Sequence, residues 1–327
     1  MKTLIITRRD VEKILTPKLA NRMVEKAFKA YGLGMVEMPP KSYLHFKKGD
    51  LRTMPAYVHG QGFDVAGVKS VNVHPENQQY RLPSVMALIV LTDPGTGFPL
   101  AVLDGTYLTS MRTGAAGALA AKLLSRKNAQ VAGFVGNGVQ ARTQLACMME
   151  VRRLKAVKVW EGGRNHGSAQ RFCAWVEKSF GLECLISGDI DEITTLVDIL
   201  VTTTPSRTPL VRRVSPGTHI NAIGADAAGK QEIQTKIMRG AKLVIDDWSQ
   251  ASHSGEINVP LQKRSLSRKD IYGELGEIAV GKKRGRTSDD EITVFDSTGL
   301  AIQDITCAYA VYAALKDKKG VKSVSFF

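Results

Sequence analysis

VAGFVGNGVQA, residues 131–141, decides how the rest of the chain is read. Val131 to Val135 is a short apolar run suited to a buried parallel strand. It leads into Gly136-x-Gly138-x-x-Ala141 and an apolar-periodic segment through Leu145 and Met149. Gly136 permits a sharp strand-to-helix turn, Gly138 lets the backbone approach a pyrophosphate, and small Ala141 lets helix and strand pack closely. The free N–H groups at the helix start, around Val139 and Gln140, would face the anion. A glycine-rich turn alone is weak evidence, because many such loops bind nothing. Here the next strand-like run, Val157–Trp160, ends at Glu161, 20 residues beyond Ala141, where a carboxylate can accept hydrogen bonds from an adenosine ribose. The stretch is therefore read as a dinucleotide-binding turn.

Working outward from it, apolar strands alternate with helical segments. Val131–Val135, Val157–Trp160, Glu183–Ile186, Ile199–Thr203, His219–Ile223 and Leu243–Asp246 are six predicted strands, as a doubly wound Rossmann sheet of two βαβαβ halves requires. The texture before it is different. Helices are expected after Thr7-x-x-Asp10 and Thr16-Pro17, and short strands at Ser42–Phe46, Arg52–Val58, Ala66–Val73, Val85–Thr92 and Pro99–Asp104. A small-residue helix, Thr113–Leu124, is expected to begin at a Ser110 cap and bridge to the nucleotide domain. Near the end, Ile292–Asp296 reads as a strand, Gly299–Leu315 as a helix, and Val321–Phe326 as a strand able to rejoin the β region. The expected fold is α/β. A Rossmann domain spans 121–304, and a discontinuous, mostly β domain for substrate binding and dimerisation comprises 1–120 and 305–327.

Composition narrows the class. A chain of 327 residues with 43% hydrophobic and 23% charged residues is an ordinary soluble globular one of two domains. Its longest apolar run, Val85–Leu91, is far too short for a membrane span, so a cytoplasmic protein without membrane contact is expected. Cys147, Cys173, Cys184 and Cys307 are widely separated on apolar stretches and read as buried thiols. The six histidines show no metal-ligand spacing, so no metal is expected, and His74 and His219 read as packing residues before ligand contacts. The net charge of +14 comes partly from KRSLSRK (263–269), KKRGR (282–286) and KDKK (316–319). None has interleaved aromatics, so they read as solvated faces and no nucleic-acid partner is expected.

In open α/β sheets ligands lie beyond the carboxyl ends of the strands. That privileges Thr202, Thr203, Thr204 and Ser206 after the fourth strand, and Gly224, Ala225 and Asp226 after the fifth. Asp226 is read as an amine-orienting or general acid–base carboxylate in preference to a helix cap. The β region contributes Lys41, Arg52, Lys69 and Arg112. Lys69 and Arg112 stand among apolar or small residues, where a charge needs an anionic partner, and a substrate carboxylate is such a partner.

The motifs GVKSVNVHPEN (67–77), MRTGAAGALAAK (111–122), GFVGNGVQA (133–141), TTTPSRTPLV (202–211), HINAIGAD (219–226), GEINVPL (255–261) and FDSTGLAIQD (295–304) resemble the ornithine cyclodeaminase/mu-crystallin family along nearly the whole chain. MPPKSYLHFKKGDLRTMPA (38–56) and HINAIGADAAGKQE (219–232) bring it nearest to the archaeal-type branch that deaminates alanine oxidatively. The resemblance implies a homodimer, NAD as cofactor with NADP as the second option, and an amino acid or 2-oxo acid as substrate. Residue by residue, Lys69 and Arg112 match its carboxylate ligands, Asp226 its amine-facing aspartate and Lys41 a further basic position that could carry a proton. Thr113, Ser297 and Gly299 fall in matching motifs as cofactor contacts. Where ornithine cyclodeaminases carry a glutamate before x-Met-Pro, this chain has Arg52, which would repel a distal ammonium. The implied activity is reversible deamination of L-alanine to pyruvate and ammonia. The alternatives are ornithine cyclodeamination, ketimine reduction and a non-enzymatic binding protein; fold does not decide among these.

Glu161 sets the first prediction. It should favour NAD by repelling a 2′-phosphate, with Arg164 softening the preference. kcat/KM measured with both cofactors should be higher for NAD, and Glu161→Ser should narrow the gap; a clear NADP preference in the wild type would refute the assignment.

Overall fold

Alternating strands and unbroken apolar strands, both present in the sequence, end in two separate sheets. The computed structural model describes residues 1–162 and 167–327. It divides the chain into Met1–Arg112 with Leu300–Phe327, and Thr113–Gly299.

The first unit holds β1 (Thr3–Ile6), β2 (Val36–Glu37), β3 (Ser42–Phe46), β4 (Gly49–Gly60), β5 (Phe63–Val73), β6 (Val85–Thr92) and β7 (Pro99–Asp104). A terminal strand, Ser323–Val324, pairs antiparallel with β1, which pairs parallel with β7; β7, β6, β5, β4 and β2 follow in that order, and β3 also lies on β4. Of the predicted Val321–Phe326 strand only Ser323 and Val324 pair in register, with Leu4 and Thr3, and the Ile5 N–H adds one bond to the Lys322 carbonyl. Period-two alternation puts Arg52, Met54, Ala56 and Val58 of β4 on one buried face with Lys69 and Val71 of β5. The C-terminal helix Ala301–Leu315 lies on that face, and a Cβ on Gly67 would overlap its Ile305. Helices α1 (Arg8–Ile14) and α2 (Pro17–Gly32) begin at the caps the sequence suggested, Thr7 with Asp10 and Thr16 with Leu19.

Helix α3 (Thr106–Leu124) starts earlier than expected. Asp104, ending β7, accepts bonds from the N–H groups of Thr106 (3.2 Å) and Tyr107 (3.1 Å). Ser110 is not the cap; it sits within the helix and donates to the Thr106 carbonyl. A carboxylate at the strand end satisfies those free N–H groups first.

In the second unit β8 (Val131–Val135), β9 (Ala156–Trp160), β10 (Glu183–Ser187), β11 (Ile199–Thr202), β12 (His219–Ala222), β13 (Lys242–Ile245), β14 (Gly273–Glu274) and β15 (Thr293–Asp296) form one parallel sheet in the order β10-β9-β8-β11-β12-β15-β13-β14. It is the expected doubly wound sheet with one correction. β15 takes the sixth place, beside β12, and displaces β13 outward. Both strands are short and apolar, so periodicity marks them as strands without ordering them. Helices α4 (Val139–Met149) and α5 (Ser168–Phe180) pack on β8 and β9 through Leu145, Met148, Phe172 and Val176.

The cysteines need a second correction. Cys147 and Cys307 are buried thiols, but Cys173 and Cys184 form a disulfide. α5 turns back at Gly181 into β10, bringing two cysteines 11 residues apart to a Cα separation of 5.1 Å, a proximity that sequence spacing does not display.

Close packing of α3 against α4 generates a prediction. A Cβ on Gly114 would overlap the Thr143 carbonyl oxygen. Gly→Ala in a helix normally gains about 1 kcal/mol, but overpacking against backbone costs about 1–3 kcal/mol. Gly114→Ala should therefore lower Tm in a thermal melt, and a raised Tm would contradict the close approach.

Candidate active site

In the second unit the glycine turn has the geometry its residue types require. Gly136 has φ +105°, a conformation that residues with a Cβ avoid, and a Cβ there would run into Thr203. Gly138 caps α4, and a Cβ on it would meet no atom within 4 Å, so the approach to the helix N-terminus is clear. Val139 is 65% exposed at this mouth, whereas Ala141 is fully buried against the strand. Glu161 follows β9 directly, and Gln170 Nε2 donates to its Oε1 at 2.8 Å. This chemistry suits a dinucleotide: an open glycine cradle on a positive helix end, followed by an acceptor carboxylate. Arg164 lies outside the described residues.

The loops after the strands are fastened by buried carboxylates that sequence reading missed. Glu232 Oε1 accepts from the Thr204 N–H and hydroxyl, both at 2.7 Å, and its Oε2 accepts from the Gly224 N–H at 3.0 Å. Asp246 accepts from the N–H groups of Thr298 (2.6 Å) and Gly299 (2.8 Å). Ser206 sits in the Thr204 loop through its N–H to Thr204 Oγ1, and the Ser297 N–H donates to Ala222 at the end of β12. Gln144 donates to the Thr113 carbonyl, and Ala225 is buried. Asp226 is partly exposed and paired with Lys230 at 2.5 Å. His219 is buried and bonded to Thr293 (2.8 Å) and Asn221 (3.0 Å). Burial, with Arg286 adding, pushes its pKa down to about 3, so it is a neutral packing residue.

In the first unit β5, α3 and the C-terminal helix bring three charges together. Lys69 Nζ lies 2.7 Å from Asp304 Oδ2 and Arg112 Nε 2.9 Å from Asp304 Oδ1, all three nearly or fully buried. Arg112 also donates to Gln303 Oε1 at 2.8 Å. The anionic partner that the sequence argument assigned to a substrate thus has a resident share in Asp304. Two cations still face one carboxylate. Burial, then the charge of Arg112, lowers the Lys69 pKa to about 7 against the pull of Asp304, and Lys41 lowers it further. A second carboxylate placed beside this cluster would stabilise the charged lysine.

Arg52 shares the buried face of Lys69 but is paired with Asp50 through two bonds, Nε to Oδ1 at 2.9 Å and Nη2 to Oδ2 at 3.1 Å, with the guanidinium 5.5 Å from the Tyr43 ring. The repulsion expected of Arg52 toward a distal ammonium is correspondingly reduced, because the pair carries little net charge. Asp304 had a sequence signal, an acid among the apolar residues of Leu300–Ala308 as Lys69 is in its strand, whereas Asp50, which follows Lys47, Lys48 and Gly49, had none. Among the described residues no group of three or more His, Cys, Asp or Glu is arranged to hold a metal ion. No described helix is long and apolar enough to cross a membrane.

Comparison with known proteins matches residues 1–319 to the model of the ornithine cyclodeaminase/mu-crystallin family. The chain is 48% identical over 329 aligned positions to an alanine dehydrogenase of Archaeoglobus fulgidus, covering 100% of this chain and 99% of the relative. A solved archaeal alanine dehydrogenase dimer with bound NAD superposes with a TM-score of 0.95 at 48% identity, covering 100% of both chains. The Thermococcus litoralis Delta(1)-pyrroline-2-carboxylate reductase, solved with NADH and L-proline, superposes with a TM-score of 0.92 at 37% identity, over 99% of this chain and 100% of that one.

Asp304 is the partner that lets two cations stay buried. Asp304→Asn should destabilise the protein toward the lower end of about 3–5 kcal/mol, because Lys69 can shed its proton. Urea unfolding measures this, and a loss below about 1 kcal/mol would mean that the cluster behaves as a solvated one.

Proposed function

We propose that this chain, which belongs to the ornithine cyclodeaminase/mu-crystallin family, is an NAD-dependent alanine dehydrogenase that converts L-alanine reversibly to pyruvate and ammonia. The observation that carries an amino-acid reaction is the buried cluster in which Lys69 and Arg112 outnumber Asp304. The likeness to the Archaeoglobus relative narrows the amino acid to alanine.

When bound, NAD supplies the acceptor for the hydride leaving the substrate α-carbon. The chain's own part is positioning and charge. Lys69 and Arg112 hold the substrate carboxylate, each charge raised in worth by the dry surroundings. Asp226 orients the amine and the attacking water and takes the proton that the amine must lose. Lys41, whose charge reaches Lys69, is the proposed proton carrier. The cofactor is held by Gly136, Gly138, Val139, Gln140 and Ala141 at the turn, by Glu161 and Arg164 beyond β9, and by Thr113, Thr202, Thr203, Thr204, Ser206, Gly224, Ala225, Ser297 and Gly299 at helix and strand ends.

Arg52 is proposed to shape the substrate side in company with Asp50. A diamino acid would need a carboxylate for its second ammonium, and Asp50 is already engaged by a guanidinium, so ornithine must compete for it. The working form is a homodimer, supported by the dimeric archaeal relative and by exposed Leu44, Phe46, Leu82 and Leu88 of the first unit. The proposed compartment is the cytoplasm. The Cys173–Cys184 bond bears on that, since cytoplasmic proteins keep structural disulfides mainly in hyperthermophiles.

The likeness to a reductase solved with L-proline supports a second reading, reduction of a cyclic imine. One set of assays separates them. Alanine with NAD should accumulate reduced cofactor in step with pyruvate, while ornithine with catalytic NAD should give little proline, and L-proline should be oxidised poorly. Efficient proline formation from ornithine would replace the dehydrogenase reading with cyclodeamination.

A further inference from the structure

Four acidic side chains of the second unit, Glu232, Asp246, Glu256 and Asp296, are fully buried, and three of them follow one another through backbone bonds. Asp296, ending β15, accepts from the N–H groups of Glu256 (2.8 Å) and Ile257 (3.1 Å). Glu256 Oε1 accepts from the N–H groups of Glu232 (2.8 Å) and Ile233 (2.6 Å). Glu232 then grips Thr204 after β11 and Gly224 after β12. The motif glycines make room for this. A Cβ on Gly255 would overlap the Asp296 carboxylate, and one on Gly224 would overlap Glu232.

We propose that Glu232 is a positioning residue for cofactor binding, its ionised carboxylate tying the Thr204 loop to the Gly224 loop two residues before Asp226, over a Glu256 that stays protonated. The inference rests on the dinucleotide reading of this unit. The charge assignment follows from the bonds. Both Glu232 oxygens receive N–H groups, the pattern of an acceptor-only carboxylate. Glu256 Oε2 is buried without a hydrogen-bond partner among the described residues, where a neutral hydroxyl costs less than a bare charge. Burial raises the pKa of both acids, but the bonds from Thr204 and Gly224 pull Glu232 back down, whereas burial and then the neighbouring Glu232 raise Glu256 well above its ordinary value, consistent with that proton.

The test compares amides. In Glu232→Gln one oxygen becomes an NH2 group, and because each side of the carboxylate meets a backbone N–H, either orientation sets donor against donor. Losing one charge-assisted bond should raise the NADH dissociation constant, read by fluorescence titration, and the KM for NAD by about tenfold or more. Glu256→Gln keeps the accepting oxygen and mimics the protonated acid, so it should stay within about twofold of wild type. Should Glu232→Gln fail to fold, Glu232→Asp retains the charge but is one methylene short of spanning both loops, and should weaken NADH binding similarly. Wild-type NADH affinity in the folded Glu232 variants, or equal losses in both amide variants, overturns the role. A wild-type protein that binds neither NADH nor NADPH instead overturns the dinucleotide reading beneath it.

Discussion

Arg112, and at neutral pH part of the Lys69 population, keeps its charge in the interior of the first unit because Asp304 lies within bonding distance of both. Carrying three charges out of water is expensive, and only close pairing with further hydrogen bonds, such as Arg112 to Gln303, offsets it. The constraint reaches outward. The C-terminal helix must lie on the face that carries Lys69, β4 and β5 must keep a register that turns Lys69 inward beside Met54, and α3 must start early enough to deliver Arg112. A one-residue slip between β4 and β5 would turn Lys69 to the other face and leave Asp304 with half its partners.

What the sequence revealed and what it hid divide along physical lines. Local features were legible: the glycine turn from its residue types, most strands within a residue or two from their apolar runs, and the caps at Thr7 and Thr16. Features depending on distant partners were not. Nothing local says that β15 and not β13 lies beside β12, since both are short apolar strands. The cap of α3 was misplaced because Asp104 belongs to the strand before it. Cys173 and Cys184 meet only because α5 folds back onto β10, and the bond between them contradicts the reading of four free thiols. The basic residues were noticed because positive charge in apolar sequence looks anomalous. Their acidic counterparts at Asp304, Glu232, Glu256 and Asp296 were not singled out, although Asp296 closes a predicted strand and Asp304 lies in a predicted helix.

The acids of the two units do opposite work. Asp304 is ion-paired and offsets part of the positive charge of Lys69 and Arg112. Glu232, Asp246, Glu256 and Asp296 instead accept backbone N–H groups, organising loops that have no regular partners of their own. Burial and the charge of Asp246 push the Asp296 pKa up to about 8, despite the bonds from Glu256 and Ile257. Such a carboxyl binds its proton more tightly folded than unfolded, so its contribution to stability is full in acid and declines as pH rises toward 8.

The late position of β15 also bears on how the protein is made. During synthesis β8 to β12 emerge well before residues 293–296, so β12 waits with an unpaired edge until most of the polypeptide has left the ribosome. The first sheet waits too, because the strand that covers the outer edge of β1 is Ser323–Val324. A nascent chain therefore carries open edges that can pair with neighbouring chains. A chain truncated before Thr293 would lack both β15 and the Ser323–Val324 strand, leaving an unpaired edge in each sheet.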